Sequence, residues 1–132
     1  MKKRIINPWT WQDNLGFVQA NEITDTKRTL FTAGQVSVDE DGALLYPGKM
    51  DSQITQTLNN IETLLKEANF KLSNVVRFTY YTTDVNAFTN AAPKVLIERL
   101  QKANCTPATS LIGVSSLFHP DCMVEIEAIA TD

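Results

Sequence analysis

Two carboxylates, Glu125 and Glu127, stand two residues apart near the end of the 132-residue sequence. Val124, Ile126, Ala128 and Ala130 alternate with them, so a strand from Met123 to Ala130 turns an apolar face to a core and both carboxylates to the other side. Charged side chains in mid-strand are uncommon unless they meet water, a partner subunit or a ligand. Glu125 is the candidate acid–base group, since a carboxylate desolvated at an interface could position or activate a water. The competing reading is a structural carboxylate, paired across an interface with Arg77 or a lysine. Glu127 reads as structural, because a neighbour two residues along points the same way at a distance of about 6 to 7 Å. His119, beside Pro120 in a loop, reads as a surface or interface histidine despite its capacity to exchange a proton near neutral pH. Cys105 and Cys122 have no sequence-adjacent cation to make a reactive thiolate, and read as reduced packing residues. No phosphate loop, serine-nucleophile elbow or metal motif is present.

The elements that must position these groups follow from periodicity. Leu15 to Ile23 and Thr29 to Val38 have the composition of strands, and the polar run Thr24 to Arg28 between them predicts an antiparallel hairpin. Gly34 interrupts the second strand and marks either a bulge or a close approach to the backbone, with the bulge the commoner use. Asp39 to Gly48 is a loop of turns. Ile54, Leu58, Ile61, Leu65 and Ala68 recur at helical spacing, with Asp51 as a cap and Asn69 at the end. Val75 to Thr83 returns to strand periodicity, with Val76, Phe78 and Tyr80 on one face and Arg77, Thr79, Tyr81 and Thr83 on the other. Phe88, Ala92, Val95, Leu96 and Leu100 form a second helical stripe, in which Pro93 is tolerable if the helix begins near Thr89 or Asn90. Strands from Thr109 to Val114 and Met123 to Ala130 close the chain. Residues 1–13 form an N-terminal arm whose Trp9 and Trp11, with Phe17, either anchor it or line an apolar pocket.

Two amphipathic helices cover one face of a sheet, which makes an α+β sandwich in a single domain, residues 1–132. The uncovered face, carrying Arg77, Thr79, Tyr81, Glu125 and Glu127 beside Met123 and Ile129, resembles a subunit interface and predicts a homo-oligomer. A net charge of −3 and a charged fraction of 20% leave no basic block for nucleic acid. No apolar run approaches a membrane span, and Met1 to Asn7 lacks the apolar stretch of a signal peptide, so the expected location is the cytoplasm. Two cysteines and one histidine argue against a disulfide scaffold or a structural zinc site.

The run Thr32-Ala33-Gly34-Gln35, the helical Gln53 and Asn60, Val75-Val76-Arg77 leading to Thr82-Thr83-Asp84, and the ending Val124 to Ala130 together resemble the Rid family, also called YjgF, from about Gly16 to Ala130. The resemblance implies a chorismate-mutase-like fold with an antiparallel or mixed sheet, two helices on one face, and a homotrimer whose sheets form a central β-barrel. It also implies small-molecule clefts between subunits and cofactor-free deamination of reactive enamines and imines. In the deaminase branch an arginine follows Pro-Ala and grips the substrate carboxylate; here Pro107-Ala108 is followed by Thr109. The family's tyrosine, asparagine and cysteine correspond to Phe17, Ala92 and Leu111, while Gly34, Gln19 and Glu125 remain. These replacements, with the Trp9 and Trp11 arm and Gly113-Val114-Ser115, resemble a subgroup that lacks the arginine. A hydroxyl cannot replace a bidentate guanidinium clamp. The expected function is therefore hydrolysis of enamines or imines with a shifted substrate range, Glu125 being catalytic and Phe17, Gly34, Ala92, Thr109 and Leu111 binding ligand. The alternatives are a non-catalytic small-molecule binding or sensing module, and last a ribonuclease.

Overall fold

A computed structural model describes residues 1–132. Six strands are present: β1 (Lys2–Ile6), β2 (Ala20–Thr24), β3 (Thr29–Phe31), β4 (Val75–Thr82), β5 (Ala108–Gly113) and β6 (Val124–Thr131). They form a two-stranded sheet, β1-β2, and a four-stranded mixed sheet in the order β3-β6-β4-β5. Only β4 and β5 run parallel, joined across the sheet by a helical connection as a parallel pair requires. The α+β class with helices on one sheet face is therefore observed.

Helix α1 (Met50–Glu67) turns Ile54, Leu58, Ile61 and Leu65 into the core, none more than 1% exposed. Burying each such side chain contributes about 1.5–3 kcal/mol before the entropy of ordering it. They pack on Val124, Ile126, Ala128 and Ala130 from β6 and on Phe78 and Tyr80 from β4 within one cluster of 19 buried residues. From Val124 to Ala130, β6 alternates buried and half-buried residues, as its sequence predicts, and Thr131 at its end is buried as well.

Several local expectations are corrected. β2 and β3 do not form a hairpin: β2 pairs with β1, a strand within the expected arm, and β3 pairs with β6. Strand composition is local, but the partner is chosen by burial, and β3 places Leu30 opposite Ala130 against the core. Asp51 lies inside the first turn of α1 rather than at its cap, which is Lys49, and its Oδ1 accepts from Ser52 N. On β4 it is Val75, not Val76, that joins Phe78 and Tyr80 in the cluster of 19, although Val76 is buried too. A register shift between Val75 and Arg77 inserts Val76 as an extra residue and reverses the alternation there.

The second helix starts earlier than expected. Asp84 caps α2 (Val85–Ala92) by accepting from Ala87 N at 2.9 Å. The helical path continues through a π-turn, Pro93–Ile97, into α3 (Glu98–Lys102). Pro93 is accommodated rather than excluded: it stands at the first position of a widened turn in which hydrogen bonding shifts to i+5, with Glu98 N–H bonded to Pro93 O. The N-terminal turns are held by Gln12, fully buried, whose Nε2 donates to Trp9 O and whose Oε1 accepts from Gln19 Nε2. Trp9 and Trp11 are themselves 58% and 64% exposed, so they do not anchor the arm. No helix is long and apolar enough to cross a membrane. Asp84→Ala is expected to cost about 1 kcal/mol through loss of the cap, read as a lower urea midpoint with unchanged slope.

Candidate functional site

The cross-strand register decides which candidate residues can meet. Thr109 pairs with Phe78 and Leu111 with Tyr80. Partners across a ladder share a sheet face, so Thr109 and Leu111 lie on the helix-covered side. There they line a cavity of about 280 Å³ together with Phe17, Ala92 and Tyr80, closed by Leu96 and Ile97. Gly16 sets that wall: its φ is +76°, and a Cβ would stand 2.9 Å from Ile97 Cγ1. Both the positive φ and the close approach call for glycine, and they bring Phe17 beside the helix. Trp11 leans edge-on against Phe17, ring centroids 6.0 Å apart.

Every residue of the cavity wall is uncharged. Its hydroxyls belong to Tyr80, Thr89 and Thr109, and Thr89 already donates to Asn86 O at 3.1 Å. Tyr80 is 4% exposed and its hydroxyl meets no protein partner. Burial, with a smaller contribution from Cys105, raises the Tyr80 pKa above the usual phenol value, so the group stays protonated. Tyr80 was not singled out as a site residue in the sequence, where its position in a strand alternation marks it only as core.

Gly34 and Glu125 form a second locus. Glu125 pairs with Tyr81 and Glu127 with Thr79, on the uncovered face. A Cβ at Gly34 would lie 2.7 Å from both Cδ and Oε1 of Glu125. Gly34 is thus explained by close approach. It also sits in an irregularity, since one residue more lies between Thr32 and Gln35 than between their partners Ala128 and Ile126. Glu125 belongs to none of the chain's ion pairs. Arg77, its expected alternative partner, instead donates to Ser110 Oγ at 2.9 Å, and Glu127 accepts from the Tyr81 hydroxyl at 3.1 Å. That bond is the main reason the Tyr81 pKa lies above its ordinary value.

The remaining candidates are structural. His119 Nδ1 accepts from Asp121 N in its own loop. Cys105 is buried, which pushes its thiol up to about 12, and Cys122 is raised chiefly by burial as well. No group of three or more His, Cys, Asp or Glu side chains is placed to hold a metal.

The family profile described as Endoribonuclease L-PSP matches residues 15–132. The chain belongs to this family, the Rid or YjgF family. A RutC family protein of Pyrococcus horikoshii is 35% identical over 101 residues, 76% of this chain and 77% of the relative. The goat 2-iminobutanoate/2-iminopropanoate deaminase is 35% identical over 103 residues, 78% of this chain and 72% of the relative. The crystal structure of the Rid protein YyfB from Yersinia pestis superposes with a TM-score of 0.87 at 31% identity, covering 100% of both chains. For a Rid protein, the geometry divides the candidate residues in two: Phe17, Ala92, Thr109 and Leu111 converge, while Gly34 and Glu125 meet across the sheet from them. Gly34→Ala is expected to destabilise by about 1 kcal/mol through overpacking against Glu125. In a Glu125→Ala background the same substitution is expected to be nearly neutral, and a urea double-mutant cycle measures the coupling.

Proposed function

We propose that this Rid protein hydrolyses small reactive enamines or imines that carry no carboxylate, without a cofactor, in clefts completed by neighbouring subunits of a cytoplasmic homotrimer. The observation that carries this reading is the cavity wall at Phe17, Ala92, Thr109 and Leu111, which contains no cation. A carboxylate moved into such a space without a counter-charge pays a desolvation penalty of several kcal/mol, whereas a neutral enamine does not. The reaction class is supported by the goat relative's name, 2-iminobutanoate/2-iminopropanoate deaminase. Assembly through the uncovered sheet is supported by its mixed surface, where Phe31 is 70% exposed beside half-buried Ile129, Arg77 and Glu127.

Hydrolysis of an enamine needs a proton delivered to carbon, attack of water on the resulting imine carbon, and departure of ammonia. A single carboxylate near neutral pH can serve more than one of these steps. In this reading Glu125 of one subunit faces the cleft of the next, with the Gly34 backbone beside it, because one chain holds Glu125 and Thr109 on opposite faces of the sheet.

A second reading, a binding or sensing module, draws on the same separation: the cavity of a single chain contains no titratable group other than the Tyr80 phenol. It requires a ligand that raises the melting temperature while no ammonia appears. Ribonuclease activity ranks last. The net charge of −3 supplies no basic field for RNA.

Wild-type hydrolysis of 2-iminopropanoate is expected to be feeble, and Thr109→Arg to raise it about tenfold or more by restoring a charge-assisted clamp. Ammonia release measures both, and robust wild-type turnover of that substrate contradicts the reading. Glu125→Gln is expected to abolish ammonia release from a carboxylate-free enamine while the mass by light scattering stays that of the wild type. A fall to the protomer mass would instead make Glu125 a structural interface residue.

A further inference from the structure

The walls of the cavity at Phe17 and Ala92 are graded in exposure. Phe88, Ala92 and Leu96, spaced four residues apart, are 3%, 7% and 4% exposed and form its inner side. Leu15 and Leu111, 50% and 38% exposed, belong to its mouth, and Phe17 and Thr109 are intermediate in burial. The hydroxyls follow the same order. That of Tyr80 is sealed off from a ligand and Thr89 gives its proton to Asn86 O, which leaves Thr109 as the wall hydroxyl with a proton to donate. The volume of about 280 Å³ exceeds the roughly 150 Å³ in which an apolar cavity takes up benzene.

We propose that this cavity holds a phenyl-sized hydrocarbon group of the substrate, inserted with its ring against Ala92 and with the reacting C=N bond left near Thr109. The assignment rests on the carboxylate-free reading given above and deepens it by naming the part of the substrate that the cavity takes. Hydrocarbon moved from water onto such a wall gains about fourfold in affinity per methylene. An imine nitrogen at the inner end would lose its hydrogen bonds to water and meet no partner in return. The polar end therefore stays outward. Ala92 fixes the depth, because a larger side chain there projects into the space the ring needs.

The test titrates acetone and phenylacetone, which share a methyl ketone and differ in the ring, into the intact protein and follows amide chemical shifts. Phenylacetone is expected to bind wild type at least about tenfold more tightly than acetone, and its ring protons to show cross-relaxation with the Ala92 methyl. Ala92→Leu, its fold checked by melting temperature, is expected to weaken phenylacetone about tenfold. Equal affinities in wild type, or ring protons that reach none of Phe88, Ala92 and Leu96, overturn the assignment, and neither measurement needs the variant. Phenylpyruvate, in which a carboxylate replaces the methyl of phenylacetone, separates the assignment from the reading beneath it. If it binds as tightly as phenylacetone with its ring at Ala92, the side-group assignment stands and the exclusion of carboxylates falls. If phenylacetone does not bind, the assignment falls, whatever ammonia release shows for carboxylate-free enamines.

Discussion

Strand β6 is the member on which the rest of this structure depends, because both of its edges and one of its faces are occupied. β3 and β4 hydrogen-bond along its two sides, and Val124, Ile126, Ala128 and Ala130 meet α1 beneath the sheet. A slip of one residue would exchange that apolar set for Glu125, Glu127 and Ile129, placing two carboxylates in a dry core. The register is therefore set by burial, and through the β4 ladder it also sets the register of β5. The faces on which Thr109, Leu111, Glu125 and Glu127 stand all follow from that one constraint.

Its consequence for chemistry is a separation. A sheet is one residue thick, so alternate residues of β4 serve different surroundings: Phe78 and Tyr80 are in the core and at the cavity, while Tyr81 faces Glu125 and bonds Glu127. A single chain thus keeps its apolar cavity and its unpaired carboxylate Glu125 on opposite sides. In an enzyme of this geometry the two can serve one ligand only when a second copy supplies the missing half. Gly34 fits the same picture, since it leaves room for the Glu125 side chain on the uncovered face.

The cavity itself is dominated by what its walls omit. In surroundings of low polarity a cation is the usual means of holding a carboxylate, and none is present. Gly16, Ile97 and the π-turn at Pro93 shape the opening, so the interruption of the second helix, which looks like a defect in sequence, forms part of the wall. Helical irregularities of this kind are frequent at functional sites. They place side chains where a regular helix would not.

How much of this was legible beforehand depended on the range of the interaction. The alternation in Met123 to Ala130 and the stripe from Ile54 to Leu65 determined one strand, one helix and their buried faces, because periodicity is a property of consecutive residues. The motif resemblance brought out Phe17, Gly34, Ala92, Thr109, Leu111 and Glu125 as the positions to watch. Tertiary structure alone decided the partners: β2 with β1 rather than β3, Val75 rather than Val76 in the main core cluster, and a helix that runs through Pro93 from a cap at Asp84. It alone showed that Gly34 stands against Glu125 and that the Tyr80 hydroxyl is sealed without a partner beside the cavity. Pairing, bulges and unsatisfied groups arise between residues far apart in the chain, and burial chooses among locally equivalent alternatives only once all the elements have met.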